Sequence, residues 1–165
     1  MGMNKTIRKT LLLGALLSAA LSAQAAFELR FVNPEKFADA GETQIERERT
    51  LGELEAYMRG LADKRLPASQ KLSVEVLDVN LAGDMEPRGR AMDRIRVVKA
   101  IGWPSMELRF VLSEGDKTLR EGKVRLSDMN FLSRIGVAHS STESLRYEKQ
   151  LLDDWFAQEF AAAKP

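Results

Sequence analysis

Met106, Leu108, Phe110 and Leu112 alternate with Glu107, Arg109, Val111 and Ser113. Successive side chains on a strand point to opposite faces, so this run requires one buried face and one wetter face. A chain carrying such a strand folds as a sheet that other elements must cover. The same period recurs in Phe27-Glu28-Leu29-Arg30-Phe31 and in Leu72-Ser73-Val74-Glu75-Val76. At Val76-Leu77 the alternation slips by one residue and resumes through Leu77, Val79 and Leu81. That slip marks a bulge or a strand buried on both faces. Arg94 to Lys99 reads as a further short strand. Glu114-Gly115-Asp116 reads as a turn that brings residues 118–126 back as a hairpin partner of the 106–112 run.

Two helices are expected to supply the cover. Asn33-Pro34 ends the first strand as a turn, and Thr43 followed by Glu46 makes a capping box. Leu51, Leu54, Met58 and Leu61 then form an apolar stripe, with Glu48, Glu55 and Arg59 facing water. Leu66-Pro67 closes this helix near Arg65, because the residue before proline avoids the helical region. Ser140 and Glu143 make a second capping box. Behind it Leu145, Leu152, Phe156 and Phe160 form a stripe flanked by Leu151 and Trp155. Residues 82–93, with two glycines, a proline and mixed charges, read as a mobile loop, and the tail from Ala161 to Pro165 is expected to fray. The fold class expected is α+β: a twisted, mainly antiparallel sheet of about five strands. Two helices, one after the first strand and one at the C-terminus, pack on one face.

The N-terminus serves another purpose. Lys5, Arg8 and Lys9 precede an apolar run from Leu11 to Leu21, and Ser22-Ala23-Gln24-Ala25 follows with small residues at 23 and 25. This is the order of a secretory signal peptide cleaved after Ala25, leaving a single domain over residues 26–165. The strongly apolar part is shorter than the roughly 20 residues a membrane anchor needs. The opening Met1-Gly2-Met3-Asn4-Lys5-Thr6 also matches an N-myristoylation pattern, which the apolar run behind it fits less well than export. The absence of a twin-arginine pair favours the general secretory route. Loss of Lys5, Arg8 and Lys9 from 25 basic residues leaves 22 against 24 acidic ones, a formal charge of −2. That balance argues against nucleic acid as a partner. With no cysteine, thiol catalysis, disulfides and lipoprotein anchoring are excluded. His139 is the only histidine, which excludes a multi-histidine metal site in one chain. No cofactor motif is present.

Several segments occur together in a recognisable order: Phe31-Val32-Asn33-Pro34 with Asp39, Leu77 to Gly83, Ile95-Arg96-Val97, Trp103-Pro104, and Arg146-Tyr147-Glu148-Lys149 with Leu151, Leu152 and Trp155. Over nearly all of residues 26–165 the set resembles the bacterial exported family catalogued as domain of unknown function 3016. Asn80 departs from it, standing where a second aspartate is expected. The resemblance implies a proteobacterial, periplasmic setting. It brings no activity and no catalytic residue.

Candidate sites are few. Asp78, Asn80 and Asp84 invite a calcium reading, and the stretch matches the start of a calcium loop at Asp78, Asn80 and Gly83, but Leu81 and Ala82 fill the next places and Gly89 stands where the closing glutamate should be. Solvent-facing residues at a strand end explain them as well. Arg88, Arg90, Arg94, Arg96 and Lys99 form a basic cluster able to fork an anion such as a lipid headgroup or cell-wall fragment. Asp84, Glu86 and Asp93 are interleaved, so local ion pairs compete with that reading. His139-Ser140-Ser141 lacks the geometry of a serine hydrolase, and the capping box accounts for Ser140. Trp103 is either a recognition anchor or the cap of a core, whereas Trp155 is core. Glu148 is expected to pair with helix neighbours at the surface, an effect of little weight. The chain is therefore expected to be an exported, periplasmic, non-enzymatic binding or accessory module for an unknown envelope protein or ligand, with no stable membrane anchor after cleavage. The alternative is a carboxylate-dependent envelope hydrolase using Asp78 with Asp84 or Glu86.

Overall fold

Thr43 starts the long helix as its sequence requires. In the computed structural model, which describes residues 25–134 and 142–160, the Thr43 hydroxyl accepts from the Glu46 N–H at 3.2 Å, and Glu46 Oε2 accepts from the Thr43 N–H at 3.0 Å. This helix, α1 (Gln44–Arg65), ends where Leu66 turns extended before Pro67. It links β1 (Ala26–Phe31) to β2 (Gln70–Asn80), which lies parallel to β1. Asn33 adopts the left-handed conformation and leads into a short 3-10 turn at Pro34–Lys36. After β2 come a hairpin of β3 (Asp84–Arg88) and β4 (Asp93–Val97), then β5 (Ser105–Glu114), β6 (Lys117–Ser127) and α2 (Arg146–Glu159). The main sheet has the order β1-β2-β5-β6, antiparallel except for the first pair. β3 and β4 form a separate two-stranded sheet.

The alternation assigns the faces. Leu72, Val74, Val76, Met106, Leu108, Phe110 and Leu112 are all buried, and they meet the α1 stripe and α2 in one core. The slip after Val76 is a bulge: Val76 pairs with Leu108 and Asp78 with Glu107, so Leu77 is the extra residue. Burial then resumes at Val79 and Leu81. Trp155 stacks edge-on against Phe110, Phe156 and Phe160, with centroids 5.0–5.6 Å away. Its buried Nε1 donor has no acceptor among the described residues. The other face of the sheet is wet, as an antiparallel sheet with one covered side permits. It carries cross-strand pairs: Glu75 with Arg30 and Arg109, Glu28 with Lys71, and Glu107 with Lys123.

The α+β architecture with a helix after the first strand and another near the C-terminus stands. Three local expectations change. Residues 82–93 are not a loop, since they contain β3, its turn and the start of β4. Their glycines, proline and mixed charges hid β3, whose inward residues are Met85 and Pro87 opposite Arg96 and Arg94 of β4. The expected strand from Arg94 is present as β4, yet it pairs only with β3, so the main sheet holds four strands. Finally, α2 begins at Arg146 behind Leu145, a left-handed residue (φ 53°) that offers no side-chain cap. Glu143, in the turn before the helix, accepts from Lys149 at 2.8 Å. Ser140 and the tail from Ala161 lie outside the described residues, as does the segment up to Gln24. Among the described residues no helix is long and apolar enough to cross a membrane.

Candidate functional site

The register of the small hairpin pairs Met85 with Arg96 and Pro87 with Arg94. These four residues share one face, and contacts show that the face is turned onto the segment before α1. Arg96 forks Asp39, NH1 to Oδ2 at 2.7 Å and NH2 to Oδ1 at 3.1 Å, and NH1 also donates to the Gly83 carbonyl at 2.9 Å. Arg94 forks Glu42 through Nε at 2.7 Å and through its NH2. Asp39 is itself stitched to the end of β2: its N–H donates to Val79 O at 2.9 Å and its carbonyl accepts from Leu81 N at 3.1 Å. Beside it, Asp78 Oδ1 accepts from Ala38 N at 2.8 Å. The bulge at Leu77 sets the phase that aims Asp78 at this backbone. At the base of the hairpin Gly83 donates to the Gly102 carbonyl at 2.8 Å. Its φ is +76°, and a Cβ there would overlap the Val97 carbonyl, so only glycine fits.

Three adjoining clefts follow the inner face of the hairpin. The first, of about 320 Å³, lies between Leu81, Arg96 and Val98 on one side and Arg146, Tyr147 and Glu148 at the start of α2 on the other. The second, about 310 Å³, shares Leu81, Leu145 and Arg96 with the first and extends to Arg49 and Thr50 of α1. The third, about 500 Å³, is the most polar and includes Asp39, Asn80, Asp84 and Arg94.

Glu148 is the unusual group. It is 3% exposed, and its Oε1 accepts from Ala82 N at 2.7 Å. Burial raises its pKa above the usual carboxylate range, against the lowering effect of that hydrogen bond and of Arg96, and with the help of Asp39. Its neighbour Lys149, 6% exposed, has two carboxylates at 2.8 Å, Glu53 and Glu143. Burial alone would depress the Lys149 pKa, but those two partners outweigh it and raise the value. The Glu53 contact ties α2 to α1, as does the Tyr57 hydroxyl donating to Asp153 at 2.7 Å. Burial and that carboxylate push the Tyr57 pKa upward. Arg146 lies 4.4 Å over the Tyr147 ring and donates to the Tyr147 hydroxyl.

The residues singled out in the sequence scatter around this region. Asn80, Asp84 and Arg96 line clefts. Asp78 is occupied with backbone. Arg88 is exposed and pairs with Glu86, which also takes Lys99. Arg90 is exposed in the hairpin turn. Trp103 is 38% exposed beside the buried Pro104. The basic cluster is thus largely consumed internally: Arg88 and Lys99 by Glu86, Arg94 by Glu42, Arg96 by Asp39. Glu86, held below the usual carboxylate range by Lys99, is poorly suited to act as an acid. Among the described residues no group of three or more His, Cys, Asp or Glu is placed to share a metal ion. His139, Ser140 and Ser141 lie outside the described residues. Glu148 corrects the expectation of a surface pair. It falls three residues after Leu145 and four before Leu152, on the buried stripe itself, and that spacing was the signal available in the sequence.

A family model described as "Protein of unknown function (DUF3016)" matches residues 25–158. No curated protein and no solved structure matches the chain.

Proposed function

The chain belongs to the DUF3016 family, and from that premise we propose that it is a non-enzymatic accessory module of the cell envelope, exported to the periplasm, that holds a small polar ligand under the β3–β4 hairpin. The observation carrying this reading is the first cleft, where Glu148 and Arg146 of α2 face Arg96 across apolar walls. Concave sites of this size, apolar with a few convergent polar groups, suit small molecules. The export part rests on the charged, apolar and small-residue order of residues 1–25. It is supported by β1 starting at Ala26, so cleavage after Ala25 leaves every sheet pairing intact. Against the hydrolase, Asp78 is bound to backbone and Glu86 lies between two cations, whereas glycosidic chemistry needs one carboxyl held protonated beside the sugar.

Two measurements test the proposal. Protein recovered from the periplasmic fraction is expected to begin at Ala26, and an intact Met1 counts against export. Thermal unfolding of the purified protein against amino acids, short peptides, phosphate and N-acetylated sugars is expected to find a stabilising ligand. A ligand at a hundred times its Kd adds about 2.7 kcal/mol. V98W, which fills the first cleft from its rim, is expected to abolish the shift. No stabilisation by any member, or full stabilisation of V98W, removes the ligand-binding reading.

A further inference from the structure

Two opposite charges at the first cleft, Arg146 and Glu148, have no salt bridge among the described residues. Arg146 has its contacts with the ring and hydroxyl of Tyr147, and among the described residues it meets no carboxylate. Glu148 is buried against the Ala82 N–H, and among the described residues no cation lies within ion-pair distance of it. Arg96 and Glu143, the other charged groups there, are engaged elsewhere, Arg96 with Asp39 and the Gly83 carbonyl and Glu143 with Lys149. A buried carboxylate held by two backbone N–H groups, those of Ala82 and of Glu148 itself, and by no paired cation among the described residues is costly, and it lies beside a cleft that solvent can enter. The start of α2 adds a second feature. Leu145 supplies no side-chain cap, and the positive end of the helix dipole beside Arg146 favours an anionic group. Between these poles lie Leu81, Ala82, Val98 and Leu145, which are apolar.

We propose that this cleft takes a zwitterion of the α-amino-acid type, free or as the end of a short peptide, with its carboxylate on Arg146 and the α2 N-terminus, its ammonium on Glu148 and an aliphatic side chain on the Leu81–Val98 wall. This rests on the ligand-binding reading above and narrows it to one chemistry. A ligand carrying both charges satisfies both poles at once. A ligand with one charge leaves the other pole as it was. Charge-assisted hydrogen bonds at both ends account for affinity, and the apolar wall accounts for side-chain preference.

The test is calorimetric titration of the purified protein with leucine, leucyl-leucine, N-acetylleucine and leucinamide. Leucine or leucyl-leucine is expected to bind, and which of the two binds tighter separates a free amino acid from a peptide terminus. N-acetylleucine lacks the ammonium and leucinamide lacks the carboxylate, so each is expected to bind at least tenfold more weakly. E148Q keeps an acceptor for Ala82 N–H while removing the charge, and is expected to weaken leucine at least tenfold. R146Q, at a half-buried position, is expected to do the same and guards against misfolding of the buried variant. Binding of N-acetylleucine or leucinamide equal to that of leucine overturns the zwitterion and leaves the ligand-binding reading intact. Silence across all four compounds at 10 mM, together with a silent wider panel, overturns both.

Discussion

Replacing Arg96 with methionine isolates the clamp that holds the β3–β4 hairpin to the body. The substitution keeps most of the aliphatic stem and removes two hydrogen bonds to Asp39 and one to Gly83 O, at 2.7, 3.1 and 2.9 Å. Both side chains of the pair are 25% exposed. Exposed ion pairs contribute up to about 1 kcal/mol, while breaking a fully buried pair costs about 3–5 kcal/mol. A three-quarters buried bidentate pair falls between, so R96M is expected to cost about 2–3 kcal/mol, because Asp39 is left charged and half-enclosed. For a domain of this size that lowers Tm by roughly 10 °C. D39N leaves an acceptor for the guanidinium and is expected to cost about half as much. A double-mutant cycle of R96M with D39N, read by urea unfolding at pH 7, is expected to give a coupling of about 1–2 kcal/mol. Amide exchange in residues 84–97 is expected to quicken in R96M more than exchange in β5, since the hairpin makes no ladder with the main sheet. A coupling below about 0.5 kcal/mol, the range of exposed pairs, or unchanged exchange in the hairpin would refute the clamp.

Three further outcomes follow from geometry. L108A, at a fully buried position between β2 and β6, is expected to lower stability by about 3 kcal/mol in urea unfolding, and a loss under 1 kcal/mol would contradict the core as described. G83A is expected to cost about 2 kcal/mol or more, because a Cβ at φ +76° meets the Val97 carbonyl and lies 2.7 Å from Val98 Cα; a change within 0.5 kcal/mol would mean the turn relaxes freely. E148Q is expected to alter the pH dependence of stability. The folded carboxyl of Glu148 has a raised pKa, so its ionisation penalises the native state as pH climbs out of the ordinary carboxylate range. Arg96 and Asp39 act on it in opposite directions. The uncharged glutamine escapes that penalty, so without ligand E148Q gains on the wild type as pH rises above the ordinary carboxylate range. A difference that is flat with pH would show that Glu148 is not held in that state.

Where the sequence alternated cleanly, its structural meaning was plain. Leu72 to Val76 and Met106 to Leu112 each placed their apolar set inward, and the slip after Val76 announced the bulge at Leu77. Thr43 and Glu46 announced α1 because both halves of a capping box are local. The strand from Arg94 is legible in the sequence, but its partner β3 (Asp84–Arg88) is not, because Pro87, the flanking glycines and mixed charges read as a loop, and the fastening of Arg94 and Arg96 is not legible either. Their partners, Glu42 and Asp39, are 52 and 57 residues away, and no local pattern encodes that distance. For the same reason the basic cluster looked available for an anion when most of it serves to fasten the hairpin. Glu148 was legible by spacing and obscured by residue type, since carboxylates rarely sit on a buried stripe. Asn80, Asp84 and Arg96 were named for other chemistry, yet they border the clefts because all three flank the point where the chain leaves β2 for the hairpin.

The single parallel pairing in the main sheet also sets a schedule. β5 and β6 join across Gly115-Asp116, a two-residue connection whose closure requires little search. Among the described residues β1 has only β2 as a ladder partner, 45 residues further along, and must wait for α1 to span the gap. The strand made earliest is therefore the one seated latest. Until that moment Phe27, Leu29 and Phe31 have no sheet to rest on, and this short aromatic stretch is where a holding chaperone, or an aggregating neighbour, would find the unfinished protein.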